Sequence, residues 1–253
     1  MTVKELYDRL DEYIPEYLRE EWDNDGIMCS ADTTAEVKRV LVALDATESV
    51  IDYAIEGDFD LIITHHPLIF KPLASVTDDG HIARKVIKLI ESGISVLSFH
   101  TRADKVEGGV NDILADLVGV FDTHPFGEGG IGRMGEIEEE MSLEDFAATV
   151  KLSLGADSVR FADAYNPVKR VALVGGDGKD FVKDAALHGA DTYLSGRISY
   201  NLMEEAMEMG VNLIEAGHFY TEHPVCSYFA ELVTKIDAGI FTEIANSNLI
   251  RVV

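Results

Sequence analysis

The chain has 253 residues, 47% of them hydrophobic and 26% charged, which suggests one large or two compact globular domains and excludes a disordered chain. A formal net charge of −25 lacks the basic footprint that a nucleic-acid backbone demands, so no nucleic-acid partner is expected and the acidity is read as a solvating surface. No apolar run approaches the roughly 18 residues of a membrane span. The stretch Met1–Tyr7 lacks a signal peptide's apolar core, and Cys29 and Cys226 are too few for a disulfide framework, so a cytoplasmic protein with no membrane association is expected.

In chain order, apolar residues at Val3, Leu6, Tyr7, Leu10, Ile14 and Leu18 predict a helix over residues 3–18, with Thr2 and Glu5 as a capping box. Val40–Asp45 reads as a buried strand, Thr47–Glu56 as a helix and Leu61–Thr64 as the next strand. A helix over His81–Ser92 leads to a strand over Ile94–Phe99. The stretch Thr123–Gly135, with Pro125 and five glycines, is the best candidate for a boundary or crossover, and the acidic block Glu136–Glu140 after it reads as a solvated turn. Beyond it come helix Leu143–Leu154, strand Arg170–Val174, helix Asp180–His188, strand Thr192–Leu194, helix Ser199–Met209 and strand Asn212–Ala216. Helix Val225–Ile236 and strands Ile240–Ile244 and Leu249–Val253 close the chain. Strands alternating with helices of this length predict an α/β fold with mostly parallel sheets.

Three segments carry metal-ligand chemistry, and each follows a strand. These are His65-His66-Pro67, His100-Thr101-Arg102-Ala103-Asp104 and Gly217-His218-Phe219-Tyr220-Thr221-Glu222. Imidazoles and carboxylates are the donors that zinc, iron and manganese take, and strand C-termini gather along one edge of an α/β sheet. Side chains alternate faces along an extended strand, so His65 and His66 are expected to serve different ions, which raises the possibility of a two-metal site. A lone histidine at a strand end is more often just a polar terminus; the recurrence at three strand ends favours the metal reading. Gly108-Gly109 reads as the opening of a helix, as an anion site or a simple turn. Gly175-Gly176-Asp177-Gly178 resembles a phosphate-cradling loop but lacks the Lys-Ser/Thr of a P-loop and the spacing of a dinucleotide fingerprint. His124, His188 and His223 read as surface or helix-end residues, and neither cysteine sits in a nucleophile motif.

Trp22-Asp23-Asn24-Asp25-Gly26, Ile62–Leu73, His100–Asp112 and Gly217–Glu222 resemble the type 2 GTP cyclohydrolase I homologue family, the Nif-three-like metal-binding proteins. The resemblance covers essentially the whole chain. It implies two α/β domains, 1–125 joined by 218–253 and then 126–217, with a metal site in the cleft between them, and a ring-shaped homohexamer. Carried over residue by residue, His66 and Asp104 would bind one metal, His65 and His218 the other, and Glu222 would bridge them. His100 would stand close by as a catalytic, proton-handling residue. The family commonly has Asn at Arg102, an acidic residue at Arg197 and often His at Asn201. The two arginines are therefore candidates for holding an anionic small-molecule substrate, with salt bridges to nearby acids as the competing reading. Two divalent ions roughly 3.5–4 Å apart suit a hydrolase acting on a small nucleotide-like or phosphorylated molecule, with GTP cyclohydrolase activity as one candidate. The alternative is a non-catalytic protein that stores, transfers or senses metal.

Overall fold

The structure, a computed structural model, describes residues 1–251 and 253. It is mixed α/β, and the chain divides into two compact units, one of residues 1–106 with 225–249, the other of residues 107–224 with 250–253.

The first unit is built on a five-stranded sheet in the order Gly26–Cys29, Ser95–Ser98, Leu61–Thr64, Arg39–Ala43 and Phe241–Ile244. Only its first strand runs antiparallel to its neighbour; the other pairings are parallel. The central strands read as uninterrupted apolar runs because both faces of a parallel sheet are covered. Leu41, Ala43, Ile62 and Val96 join a core with Val50, Ile51, Ala54 and Leu89 of helices Glu48–Glu56 and His81–Ser92. Helix Val3–Asp11 begins with the expected capping box, Glu5 N–H donating to Thr2 Oγ1 at 3.2 Å and Thr2 N–H to Glu5 Oε2 at 2.8 Å. The expected helix over residues 3–18 breaks before Pro15, which cannot continue it, and resumes as a 3₁₀ turn at Glu16–Leu18.

The second unit carries a six-stranded sheet in the order Phe121–Phe126, Gly132–Met141, Val168–Val174, Thr192–Ser195, Asn212–Glu215 and Arg160–Ala162. Its three consecutive strands from Val168 to Glu215 pair in parallel, and the flanking strands are antiparallel. Alternation along these strands feeds two cores. Val171, Leu173, Leu194 and Ile214 face helices Val110–Val118 and Leu143–Leu154, while Ala172, Val174, Tyr193 and Leu213 face the other side.

Several expectations need correction. Thr123–Gly135 is neither a boundary nor a crossover: it is most of a β-hairpin whose turn is confined to the region of Gly127, Gly129 and Gly130, all at positive φ. Glu136–Glu140 is not a turn but part of the second strand of that hairpin. The unit boundary falls at Val106/Glu107, because Leu114, Ala115 and Val118 are buried in the second unit's core. The return to the first unit comes at Val225 rather than at residue 218. Residues 249–251 form no strand, and Val252 of the expected Leu249–Val253 strand lies outside the described residues. Among the described residues no helix is long and apolar enough to cross a membrane.

Candidate metal centre

In the first unit, His65 and His66 come immediately after the strand Leu61–Thr64, in a bend and not within the strand itself. Side-chain alternation therefore does not govern them, and their ring centroids lie 5.0 Å apart. The expectation that neighbouring histidines must face different ions loses its geometric basis here. His100 follows the adjacent strand Ser95–Ser98 and caps the short helix Thr101–Lys105; its ring lies 5.2 Å from that of His65 and 5.8 Å from that of His66. One nitrogen from each of the three rings falls within a 4.8 Å span, a spacing that fits a metal ion.

Each ring is oriented through Nδ1. His65 Nδ1, fully buried, lies 3.0 Å from the Phe99 carbonyl oxygen. His66 Nδ1 lies 2.7 Å from Asp45 Oδ1, and His100 Nδ1 lies 2.8 Å from Asp23 Oδ1. A carbonyl or carboxylate oxygen can only accept, so the proton sits on Nδ1 and a neutral ring presents its lone pair at Nε2. This is how proteins commonly hold metal-binding histidines, and the donor set fits a divalent transition metal. Asp104, from the helix after His100, places Oδ1 3.7 Å from His65 Nε2. Asp104 thus neighbours His65, whereas the family resemblance groups it with His66.

Asp23 is the keystone of the His100 side. Its Oδ2 also accepts from Thr101 N–H at 3.1 Å and Thr101 Oγ1 at 2.6 Å. Burial alone would raise its pKa, but the hydrogen bonds from His100 and Thr101 and the His100 charge outweigh it and bring the carboxyl down to about 2. For His100, burial opposes protonation, while the Asp23 hydrogen bond and the charges of Asp104 and Asp23 prevail and hold its pKa above the ordinary value. The role of Trp22-Asp23-Asn24-Asp25 was visible in sequence only through the family resemblance; a carboxylate paired to a histidine 77 residues away leaves no local spacing signal.

Arg102 requires a correction. Its side chain is fully buried, and its donors are committed: Nε to Asp25 Oδ2 at 2.9 Å, Nη1 to Asp11 Oδ1 at 2.5 Å and the Ile14 carbonyl at 3.0 Å, Nη2 to Tyr7 Oη at 3.2 Å. The guanidinium also lies over the Phe99 ring, 4.6 Å from its centroid. Arg102 ties the first helix to the sheet and is not placed to hold a substrate anion.

In the second unit, His218 and Glu222 occupy one short helix, His218–Glu222, with His218 Nε2 2.9 Å from Glu222 Oε2. The i, i+4 spacing puts both on one face. Gly176, at φ 63°, passes so near that a Cβ there would meet Glu222 Oε1 at 1.9 Å. The Gly175–Gly178 loop is thus packed around this helix. Its amides donate to Asn111 Oδ1, Thr221 Oγ1 and Ser195 Oγ, which leaves no support for a phosphate cradle. Gly108-Gly109 precedes the helix Val110–Val118, with Gly109 as its N-cap. Arg197 is exposed on the loop whose Gly196 packs against Thr221 and His218. Asn201 lies exposed in helix Tyr200–Glu208.

The fold and these side chains define a two-unit α/β protein equipped with histidines and carboxylates suited to metal. The chain belongs to the Duf34/NIF3 (NGG1p interacting factor 3) family, whose model matches residues 1–250. It is 38% identical over 248 residues to a Clostridium perfringens protein named GTP cyclohydrolase 1 type 2 homolog, covering 95% of this chain and 94% of that one. A Clostridium acetobutylicum protein of the same name is 37% identical, covering 88% and 86%. Among solved structures, a hypothetical protein of Staphylococcus aureus superposes with a TM-score of 0.89 at 29% identity, covering 100% and 99%. The reduced HcgD protein of Methanocaldococcus jannaschii gives 0.85 at 29% identity, covering 96% and 97%.

Proposed function

We propose that this chain is a metal-dependent hydrolase with two divalent ions, zinc, iron or manganese, acting on a small nucleotide-like or phosphorylated substrate, with GTP cyclohydrolase-like ring opening as one candidate reaction. The observation that supports it most is the tethering of three clustered imidazoles through Nδ1, to Phe99 O, Asp45 and Asp23. A structural histidine needs no such shared orientation; a ligand does. In this reading His65, His66 and Asp104 of the first unit, and His218 and Glu222 of the second, would hold the ions. When bound, the ions would supply Lewis acidity and lower the pKa of water at the site.

The chain's own residues do the rest. Phe99 O and Asp45 fix the tautomers of His65 and His66. His100, held against Asp23, gives or takes a proton at Nε2. Arg197, exposed on the loop that packs against the His218 helix, is the remaining candidate for an anionic group of the substrate. The cytoplasmic setting rests on the low cysteine content, and the ring-shaped homohexamer on the family resemblance alone.

The test is turnover. Metal-loaded protein screened against nucleotides and phosphoesters should hydrolyse at least one, and His66→Ala and Glu222→Ala should each abolish that activity while leaving the fold intact by circular dichroism. Saturable metal exchange without turnover of any candidate would instead identify a metal-storing or metal-sensing protein.

A further inference from the structure

Beside the histidine cluster the first unit exposes two large aromatic side chains. Trp22 is 63% exposed and Phe70 46%, although burying such rings is among the larger gains available to a fold. They are not stray surface residues. Trp22 lies 6.2 Å from Phe70 at an interplanar angle of 72°, and 6.4 Å from His100 at 80°. Phe70 meets His100 at 6.1 Å and 88°. Three rings thus stand nearly perpendicular to one another in a corner, touching by edges and not by stacked faces. At these exposures, much of the indole surface and part of the phenyl surface stay open to solvent.

The corner is fastened from behind. Asn24 Nδ2 donates to the Ile69 carbonyl, joining the Trp22 loop to the Phe70 loop. Asp23 clasps His100 and Thr101, and Glu20 N–H donates to Thr101 Oγ1 at 3.0 Å. Backbone anchored on both sides of an exposed tryptophan fixes where the ring begins, so little ordering entropy remains to be lost on binding. Exposed apolar surface rimmed by polar groups marks a binding site more often than it marks idle surface.

We propose that Trp22 and Phe70 form a stacking ledge for a planar heteroaromatic ring of the substrate, such as a nucleobase, and direct the edge of that ring to His100. The inference rests on the hydrolase reading and narrows its substrate from phosphorylated molecules at large to those that carry a flat ring. Trp22 and Phe70 act as positioning residues. Stacking on an aromatic side chain tolerates different rings, because every base offers a π-face, so the ledge selects a class and not a single compound.

Trp22 is the only tryptophan in the chain, so its emission reports this corner alone. Metal-loaded full-length protein is titrated with GMP, which has a ring, and with ribose 5-phosphate, which has none, by fluorescence and by calorimetry. GMP should quench Trp22 saturably and ribose 5-phosphate should not. Phe70→Ala should bind GMP about tenfold more weakly, Trp22→Ala should weaken it at least as much, and Trp22→Phe should restore most of the affinity. Equal binding of the two probes, or GMP affinity unchanged in Phe70→Ala, overturns the ledge. So does emission that shifts with protein concentration but not with GMP, which would assign the rings to contact with a second copy. Metal content measured on the same samples separates the two ideas. Ring-dependent binding in a chain that takes up no metal sinks the hydrolase reading alone; full metal content without ring-dependent binding sinks the ledge alone.

Discussion

Two buried polar sets lie two residues apart on the same short helix, and they are built to opposite ends. Arg102 is enclosed by Asp25, Asp11, Tyr7 and the Ile14 carbonyl, with acceptors placed around the whole guanidinium. Asp104 instead joins His65, in a cluster where His65, His66 and His100 are each gripped at Nδ1 and turned so that Nε2 is the presented atom. The first arrangement spends the guanidinium's hydrogen bonds within the fold. The second directs part of its hydrogen-bonding capacity to one place. A buried polar group whose capacity is used up is architecture, and one oriented by a single tether is poised for a ligand.

The comparison breaks most visibly at Arg102. Arg102→Met should destabilise the protein by about 3–5 kcal/mol in urea unfolding, because buried Asp25 loses its hydrogen-bonded counter-charge and keeps only the half-buried Arg19 at 3.7 Å. Burial already pushes the Asp25 carboxyl above the usual carboxylate range against the pull of Arg102. Adding Asp25→Asn to Arg102→Met should recover part of the loss. Metal uptake by the folded fraction should be unaffected; a stable Arg102→Met protein that no longer binds anions would restore the substrate-binding reading.

Asp23 stands between the two sets, and its effect should be smaller and dependent on pH. Its folded pKa of about 2 lies below the ordinary 3.8, so its stabilisation is present above pH 3.8 and is lost as the pH falls toward 2. The difference is worth about 2.5 kcal/mol at most, at about 1.4 kcal/mol per pKa unit. In the metal-free chain, His100 adds the opposite limb. Its folded pKa is raised, so the stability it contributes is full below its ordinary pKa and fades as the pH rises through the folded value. The stability gap between wild type and Asp23→Asn should therefore be widest in mildly acidic solution and narrow on both sides. A gap that stays constant from pH 4 to 8 would show that Asp23 acts through Thr101 and not through the His100 charge.

The sequence was most informative where periodicity and chemistry coincide. The strand Leu61–Thr64 and the helix His81–Ser92 stand where their apolar patterns place them. The metal-type residues were legible as types because each follows a strand. What was hidden depends on distant partners. Nothing near Arg102 announces that Asp11 and Tyr7 will close around it, and nothing near His66 announces Asp45. The five glycines between residues 123 and 135 point to a boundary or crossover because turn residues dominate the local pattern, yet the strand pairing around Gly132 and Gly135 prevails. The adjacent histidines lie just past the end of the strand Leu61–Thr64, so the alternation of an extended chain does not fix their directions.

The most direct measurement is metal content after reconstitution, in wild type and in Asp45→Asn. The account predicts close to two divalent ions per wild-type chain. Asp45→Asn should bind metal about 10–100-fold more weakly, since His66 loses the carboxylate that orients it. Its urea stability without metal should change by less than about 1 kcal/mol, because Asp45 is partly exposed. A reconstituted wild type that holds no metal, or an Asp45→Asn chain that binds it as tightly as wild type, would contradict the claim that these tethered histidines form a metal centre.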